Sequence, residues 1–321
     1  MQSKKEKQIK DLWRAAFGDN ENFIRMYFKH VYKAKYALTL EHEGQLVSSL
    51  MLLPYKLNYY GRELLMGYIA GACTLEGQRG KGWMTRLMHK TFEQMRRRGM
   101  YVATLIPASP SLFDFYERYG FSRAFEYSPC VYARQELGEA DGSCRVLSQD
   151  TLGGKEFAYV DRKLRERAIG VLHDRRDMDN IGRDICLSGG RMYVARRADT
   201  ICGIAFATPF IRPGSNPEER SALVREIVYE DGDAMRALLL AATENLGVER
   251  ALCRMPYIAQ GTAYSYGMAR AIDPEAMFEI RKAACGAKMS LEELKAMDIK
   301  QQTAYLLDYA DRKAYMSLML D

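Results

Sequence analysis

Residues 63–98 limit the fold more than any other part of the chain. An apolar stretch of strand character, Glu63 to Leu75, runs through a glycine-bearing turn, Gly77-Gln78-Arg79-Gly80-Lys81-Gly82, into a basic amphipathic helix that opens at Trp83. Strand, glycine turn and helix in such close succession predict an α/β layer with the helix lying on a sheet. The helix carries Met84, Leu87, Met88, Thr91 and Met95 on one stripe, and Gly99 stops it. Gly80 and Gly82 lack Cβ atoms, so the backbone from Arg79 to Met84 can approach a ligand and present successive N–H groups. The first helical turn adds orphan donors and the positive end of the dipole, and a phosphate or pyrophosphate is the guest that such a turn suits.

Spacing decides which phosphate loop this is. A Walker loop requires Gly-Lys-Ser/Thr, whereas Lys81 is followed by Gly82 and Trp83. A dinucleotide fingerprint requires Gly-x-Gly-x-x-Gly, and the run from Gly80 ends in Thr85, with no acidic residue near position 100 to hold a ribose. What remains is Arg79-x-x-Gly82-x-Met84. It is followed, after an apolar strand Tyr101 to Ile106, by Pro107-Ala-Ser-Pro110 and the corner Phe115-Tyr116-Glu-Arg118-Tyr119-Gly120-Phe121.

These two motifs resemble the Arg/Gln-x-x-Gly-x-Gly/Ala pyrophosphate loop and the Phe-Tyr-x-Arg-Tyr/Phe-Gly-Phe corner of the GNAT acetyltransferase superfamily. Met84 stands where the pattern has Gly or Ala. The alternative without function is an unrelated α/β domain with a structural glycine turn.

The rest of the chain is read around that element. With 321 residues, 48% of them hydrophobic, there is material for two modest domains. No apolar run reaches the length of a membrane span and the charged N-terminus lacks a signal-peptide pattern, so the expected location is the cytoplasm, with no membrane partner. Seven scattered cysteines, none paired as Cys-x-x-Cys, and four histidines at no ligand spacing predict neither a disulfide framework nor a metal site. The net charge of +6 is mild and its densest run, Arg96-Arg97-Arg98, ends a helix, so no nucleic-acid partner is expected. Homo-oligomerisation is compatible with the sequence and is left open.

Two helices, 5–17 and 21–32, precede strands over 36–41, 45–53, 57–60 and 63–75. The polar segment 137–143 marks a boundary. Beyond it, residues 154–170 read as a helix, 191–196 and 200–208 as a hairpin, 223–229 as a strand, 233–246 as a helix and 251–255 as a strand, an order that repeats the first half. Where the phosphate loop would recur stands Tyr229-Glu-Asp-Gly-Asp-Ala234, whose carboxylates would repel a pyrophosphate. Glu226, Glu230 and Asp231 are also candidates for lining a pocket that attracts a cation. Ser290-x-x-Glu293 opens a C-terminal helix, a second covers 299–309, and the apolar end Ala314 to Leu320 is expected to dock on the body.

An intact GNAT half, a half lacking the loop, and a last piece starting at Met268-Ala-Arg-Ala-Ile-Asp273 together resemble the Eis (enhanced intracellular survival) family of bacterial N-acetyltransferases, whose members end in a sterol-carrier-like domain, here about half length. The resemblance implies an α/β (α+β) fold class: tandem GNAT folds of mixed, mostly antiparallel sheets flanked by helices, with a short helical appendage. Its domains are a catalytic one over 1–136, a degenerate one over 143–266 and a shortened sterol-carrier-like region over 267–321.

It also implies acetyl-CoA as co-substrate and a primary amine, on a small polycation or a lysine side chain, as acceptor. The coenzyme would lie on Ala72, Cys73, Thr74 and Leu75 of the strand and on Arg79, Gly80, Lys81, Gly82, Trp83 and Met84 of the loop. Tyr116 matches the family's general acid, and the terminal carboxylate of Asp321 would help deprotonate the amine. Cys73 reads as a small buried residue, since nothing near it in sequence would lower a thiol pKa. Two other readings stand beside this one: a tandem-GNAT aminoacyl or fatty-acyl transferase, and a non-catalytic acyl-CoA-binding module.

Overall fold

The computed structural model describes residues 3–139, 142–212, 214, 216, 219–256, 262–311 and 313–320. The chain divides into two units, Met1–Phe125 with Tyr266–Ala314, and Glu126–Ser265 with Tyr315–Leu320.

Unit 1 opens with α1 (Lys4–Phe17), whose first turn is capped by Ser3 accepting from the Glu6 amide at 3.1 Å and which ends at Gly18. Asn20 caps α2 (Glu21–His30) in the same way. An antiparallel meander follows, β1 (Ala37–His42), β2 (Gln45–Tyr59) and β3 (Arg62–Thr74). The two strands expected over 45–53 and 57–60 are one continuous strand. Pro54 stays in register opposite Gly67, because the fixed φ of proline is compatible with extended chain.

After the glycine turn come α3 (Trp83–Arg97), β4 (Val102–Leu105), parallel to β3, and α4 (Ser111–Glu117). The stripe on α3, Leu87, Met88, Phe92 and Met95, packs against Leu50, Leu52, Ile69, Ala103 and Phe121 in one buried cluster. Full burial of each such side chain contributes roughly 1.5–3 kcal/mol.

β5 (Ser122–Ala133) carries the chain into unit 2. There α5 (Arg134–Leu137), β6 (Arg145–Gln149), α6 (Gly154–Arg165), β7 (Ile169–Leu172) and α7 (Arg175–Leu187) precede β8 (Arg191–Arg197), β9 (Thr200–Ile211), β10 (Arg220–Tyr229), α8 (Gly232–Leu246) and β11 (Arg250–Met255). The helix expected over 154–170 stops at Arg165, and Ile169 to Leu172 is a fully buried strand instead. The sheet runs β5, β11, β10, β9, β8, β6, and β10 and β11 are its parallel pair.

The chain then returns to unit 1 as β12 (Tyr264–Ala271), which pairs antiparallel with β4, followed by α9 (Pro274–Cys285), α10 (Leu291–Ala296) and α11 (Ile299–Leu306). Ser290 and Glu293 form the expected reciprocal cap on α10. Both sheets thus share one plan, an antiparallel meander (three strands in unit 1, four in unit 2), a helix, a strand parallel to the meander's last, and a further strand antiparallel to that one. That last strand is β12 in unit 1 and β5 in unit 2.

Among the described residues no helix is long and apolar enough to cross a membrane.

Candidate active site

The site begins with a break in the β2–β3 ladder. Ser49 faces Cys73 and Met51 faces Ala70, so Gly71 and Ala72 together oppose Leu50 as a β-bulge. Glycine is required here. Gly71 has φ +58°, and a Cβ on it would lie 2.1 Å from the Trp13 ring. The Trp13 indole is itself held by its Nε1 donating to Asp19 at 2.7 Å. β3 pairs with β4 only from Met66 to Tyr68, so its last residues diverge from that neighbour just where the bulge turns the backbone.

The glycine turn follows. Gly80 and Gly82 both have φ +77°, and a Cβ on either would meet nothing within 4 Å, so the backbone lies open. Gly82 is the N-cap of α3, no side chain caps that end, and its first turn holds no acidic residue. The first backbone bond of the helix is from the Arg86 amide to the Gly82 carbonyl, at 3.1 Å. Among the described residues the six amides from Gly80 to Thr85 have no protein acceptor. Open donors at and just before a helix start, with Arg79 and Arg86 nearby, are the chemistry that suits an anion.

The corner after α4 supplies the third part. Tyr119 Oη lies 2.9 Å from Thr85 Oγ1, which ties the end of α4 to the first turn of α3. Tyr116 is buried, with its ring 5.1 Å from Phe115 and 5.9 Å from Phe121. Burial pushes its phenol up to about 12, with smaller contributions from Tyr119 and Cys73. The buried Cys73 thiol is pushed up to about 11 by the same cause, against an opposing hydrogen bond with Ser49, the opposite of the lowered thiol pKa that a nucleophilic cysteine has.

These parts surround one cleft of about 810 Å³. Ala72, Cys73, Thr74, Arg79, Gly80, Gly82, Trp83, Met84 and Tyr116, all expected from sequence, line it. Leu75 and Lys81 are not on its wall: the Leu75 amide bonds to the Val47 carbonyl at 2.9 Å, and Lys81 turns back to Gln78 at 3.1 Å. Asp321 lies outside the described residues. Sequence reasoning missed Phe17 at the end of α1, Gln78, Leu112, Phe115, Arg118 and Tyr119 as lining residues. Proximity to the two motifs was a signal for most of these; nothing local marks Phe17.

The matching place in unit 2 is closed. Asp231 caps α8 by accepting from the Ala234 amide at 2.9 Å and pairs with Arg197 at 2.9 Å, and Glu230 pairs with Arg162 at 2.7 Å and Lys163 at 3.0 Å. Glu226, fully buried, accepts two bonds from Arg167 at 2.8 and 2.9 Å. The three carboxylates expected to attract a cation are therefore occupied in capping and ion pairs.

The chain termini of the strands differ as well. β10 and β11 pair from Ala222 to Val224, and just beyond, Arg225 donates to the Met319 carbonyl at 2.7 Å while Tyr315 Oη donates to the Arg254 carbonyl at 2.9 Å. The apolar tail, Tyr315 to Leu320, is buried on unit 2, as its composition predicted.

The Acetyltransferase (GNAT) domain family model matches residues 1–124. No curated protein matches the sequence. Among solved structures, a probable N-acyltransferase from Enterococcus faecalis V583 is 18% identical, covers 85% of this chain and 72% of its own, and superposes with a TM-score of 0.65. A GCN5-related N-acetyltransferase from Anabaena variabilis is 13% identical over 84% of this chain and 71% of its own, with a TM-score of 0.68. Eis1 from Mycobacterium abscessus is 16% identical over 87% and 74%, with a TM-score of 0.65. At these identities the likeness is one of fold, and it extends over both units. By the family match, and by the loop, bulge and helix just described, residues 1–124 are a GNAT acetyltransferase domain.

Proposed function

We propose that the protein is an N-acetyltransferase that passes the acetyl group of acetyl-CoA directly to a primary amine, on a small polycationic molecule or a lysine side chain. The observation that carries this reading is the run of unoccupied amides from Gly80 to Thr85 at a cleft that Tyr116 also lines. The amides hold the pyrophosphate. The bulged strand at Ala72 and Cys73 offers backbone donors to the pantetheine arm and to the oxyanion that forms when the amine attacks the thioester carbonyl. Carbon–nitrogen bond formation is then followed by carbon–sulfur cleavage, the amine losing one proton and the departing thiolate gaining one.

Tyr116 is the donor placed for the sulfur. A free phenol, with a pKa of about 10, is an easier proton source than this one. Burial keeps Tyr116 protonated over the whole working range, so it serves first as a hydrogen-bond donor to the developing thiolate and hands over its proton late. The carboxylate of Asp321 is assigned the opposite task, drawing the proton from the amine.

A thiol-release assay with acetyl-CoA and a panel of amines tests the reading. Tyr116→Phe is expected to lower kcat about 10²- to 10³-fold while leaving acetyl-CoA affinity nearly unchanged. Removal of Leu320 and Asp321 is expected to abolish turnover and spare acetyl-CoA binding. In the intact protein no loss of kcat from Tyr116 ionisation is expected below about pH 10, because its pKa is raised and the donor stays protonated. Unchanged turnover in Tyr116→Phe across pH would remove the acid role, and coenzyme binding without acceptor-dependent thiol would leave a binding module.

A further inference from the structure

A second pocket of unit 1, about 510 Å³, lies among α3, the corner after α4, the end of β12 and the start of α11. Three arginines, Arg96, Arg118 and Arg270, line it, and among the described residues none of them is in an ion pair. Arg118 lies 5.2 Å over the Phe115 ring. Arg270 lies 4.6 Å over the Phe92 ring and donates through Nη1 to the Tyr119 carbonyl at 2.7 Å, while its Nε is buried with no acceptor among the described residues. Burial, and secondarily the charge of Arg96, hold the Arg270 guanidinium below the usual arginine range.

The carboxylates of the pocket do not answer these charges. Glu117 is already neutralised by Arg123 at 2.8 Å and Lys300 at 2.5 Å, and Asp298 caps α11 through the Gln301 amide at 2.8 Å. Glu93, exposed on α3, is the remaining acid against three arginines. The backbone also makes room for Arg270: Gly120 has φ +78°, and a Cβ on it would lie 2.1 Å from Nη1. A partly buried cation with an orphaned donor and a like-charged neighbour is costly unless an anion completes it.

The geometry points to a second anion site, in which Arg270, Arg96 and Arg118 bind a phosphomonoester. Guanidinium forks match phosphate oxygens, and the Phe92 ring under Arg270 holds that fork in place. Thr85, Arg118 and Tyr119 line both this pocket and the main cleft, so its occupant shares a wall with the coenzyme site. The phosphomonoester is either that of coenzyme A itself or that of a separate phosphorylated metabolite.

Calorimetric titration of the full chain with inorganic phosphate, coenzyme A and dephospho-coenzyme A tests this without turnover. Phosphate is expected to bind, and Arg270→Met and Arg96→Gln are each expected to weaken it by roughly ten-fold, since hydrogen bonds to charged groups are the strong ones. Arg96 is exposed, so its variant reports on the site even where Arg270→Met does not fold. Preference for coenzyme A over dephospho-coenzyme A that both variants abolish identifies the coenzyme's phosphate as the source. Undiminished phosphate binding to protein saturated with coenzyme A identifies a separate ligand. Phosphate binding that neither variant changes, or no phosphate binding together with equal affinity for the two coenzymes, overturns the proposal. Variant-sensitive phosphate binding in a protein that binds no coenzyme upholds it while refuting the acetyl-CoA reading above.

Discussion

The β3–α3 turn and the β10–α8 turn are built to one plan and end in opposite states. Each follows the last strand of an antiparallel meander, opens a helix of fifteen residues and leads to a strand parallel to the one before it. Each of those meander strands also carries a bulge, at Gly71 and Ala72 in one unit and at Arg225 in the other. In unit 1 the helix start is capped by nothing but glycine, the bulge is backbone, and an open cleft lies beside it. In unit 2 Asp231 fills the helix start, and the bulged residue is an arginine whose guanidinium donates to the Met319 carbonyl of the C-terminal tail and to Asp184 of α7, both at 2.7 Å. A handful of side chains thus separates the two helix starts: the orphan amides stay open in one unit and donate to the chain's own carboxylate in the other.

The largest effect that sharpens this contrast is expected at Glu226. Glu226→Gln removes the charge that faces the buried Arg167 guanidinium, and loss of one member of a buried pair costs about 3–5 kcal/mol, to be read from urea unfolding. The apparent affinity for amines should not move. A raised amine KM with unaltered stability would return Glu226 to an acceptor pocket and break the assignment of unit 2 carboxylates to structure.

The next effect transfers the cap of unit 2 to unit 1. Gly82→Asp places a carboxylate on the amides of α3, where a Cβ has room and aspartate tolerates the positive φ better than most residues. Acetyl-CoA affinity is expected to fall about 100-fold, roughly 2.7 kcal/mol, by calorimetry, with the melting temperature nearly kept. Unchanged affinity would mean that the amides from Gly80 to Thr85 are not where the pyrophosphate binds.

Much of this contrast was legible in the amino acids because it rests on local chemistry. Gly80 and Gly82 against Glu230 and Asp231 state directly which helix start can accept an anion, and Gly18, Gly99 and the Ser290–Glu293 box mark helix ends without reference to the rest of the fold. What was not legible depends on partners far away in sequence. Residues 45–53 and 57–60 read as two strands, yet the pairing of Pro54 with β3 carries one ladder through them. The helical reading of 154–170 ran into Ile169 and Gly170, yet these begin the fully buried strand β7. The roles of Phe17 in the cleft and of Arg270 against Tyr119 required chain segments that meet only after folding.

The smallest effect is expected at Asp231 itself. Asp231→Ala removes the cap on the Ala234 amide and the pair with Arg197, both at an exposed position, so only a small drop in the urea midpoint is expected. The hydrogen bond from Arg197, and next the backbone bond from Ala234, lower the folded pKa of Asp231 below its ordinary value near 3.8. A lowered folded pKa contributes stability that is complete above the unfolded value and lost as pH falls through the folded one. The gap between the parent and Asp231→Ala should therefore be constant from pH 6 to 8 and close on acidification toward about pH 3. The variant should still bind no coenzyme at this turn, since Glu230 and Asp233 remain beside the reopened amides and the tail still lies against Arg225 and Arg254. A second equivalent of acetyl-CoA bound by Asp231→Ala would show that one carboxylate alone separates the two halves, and that the tail does not close the cleft of unit 2.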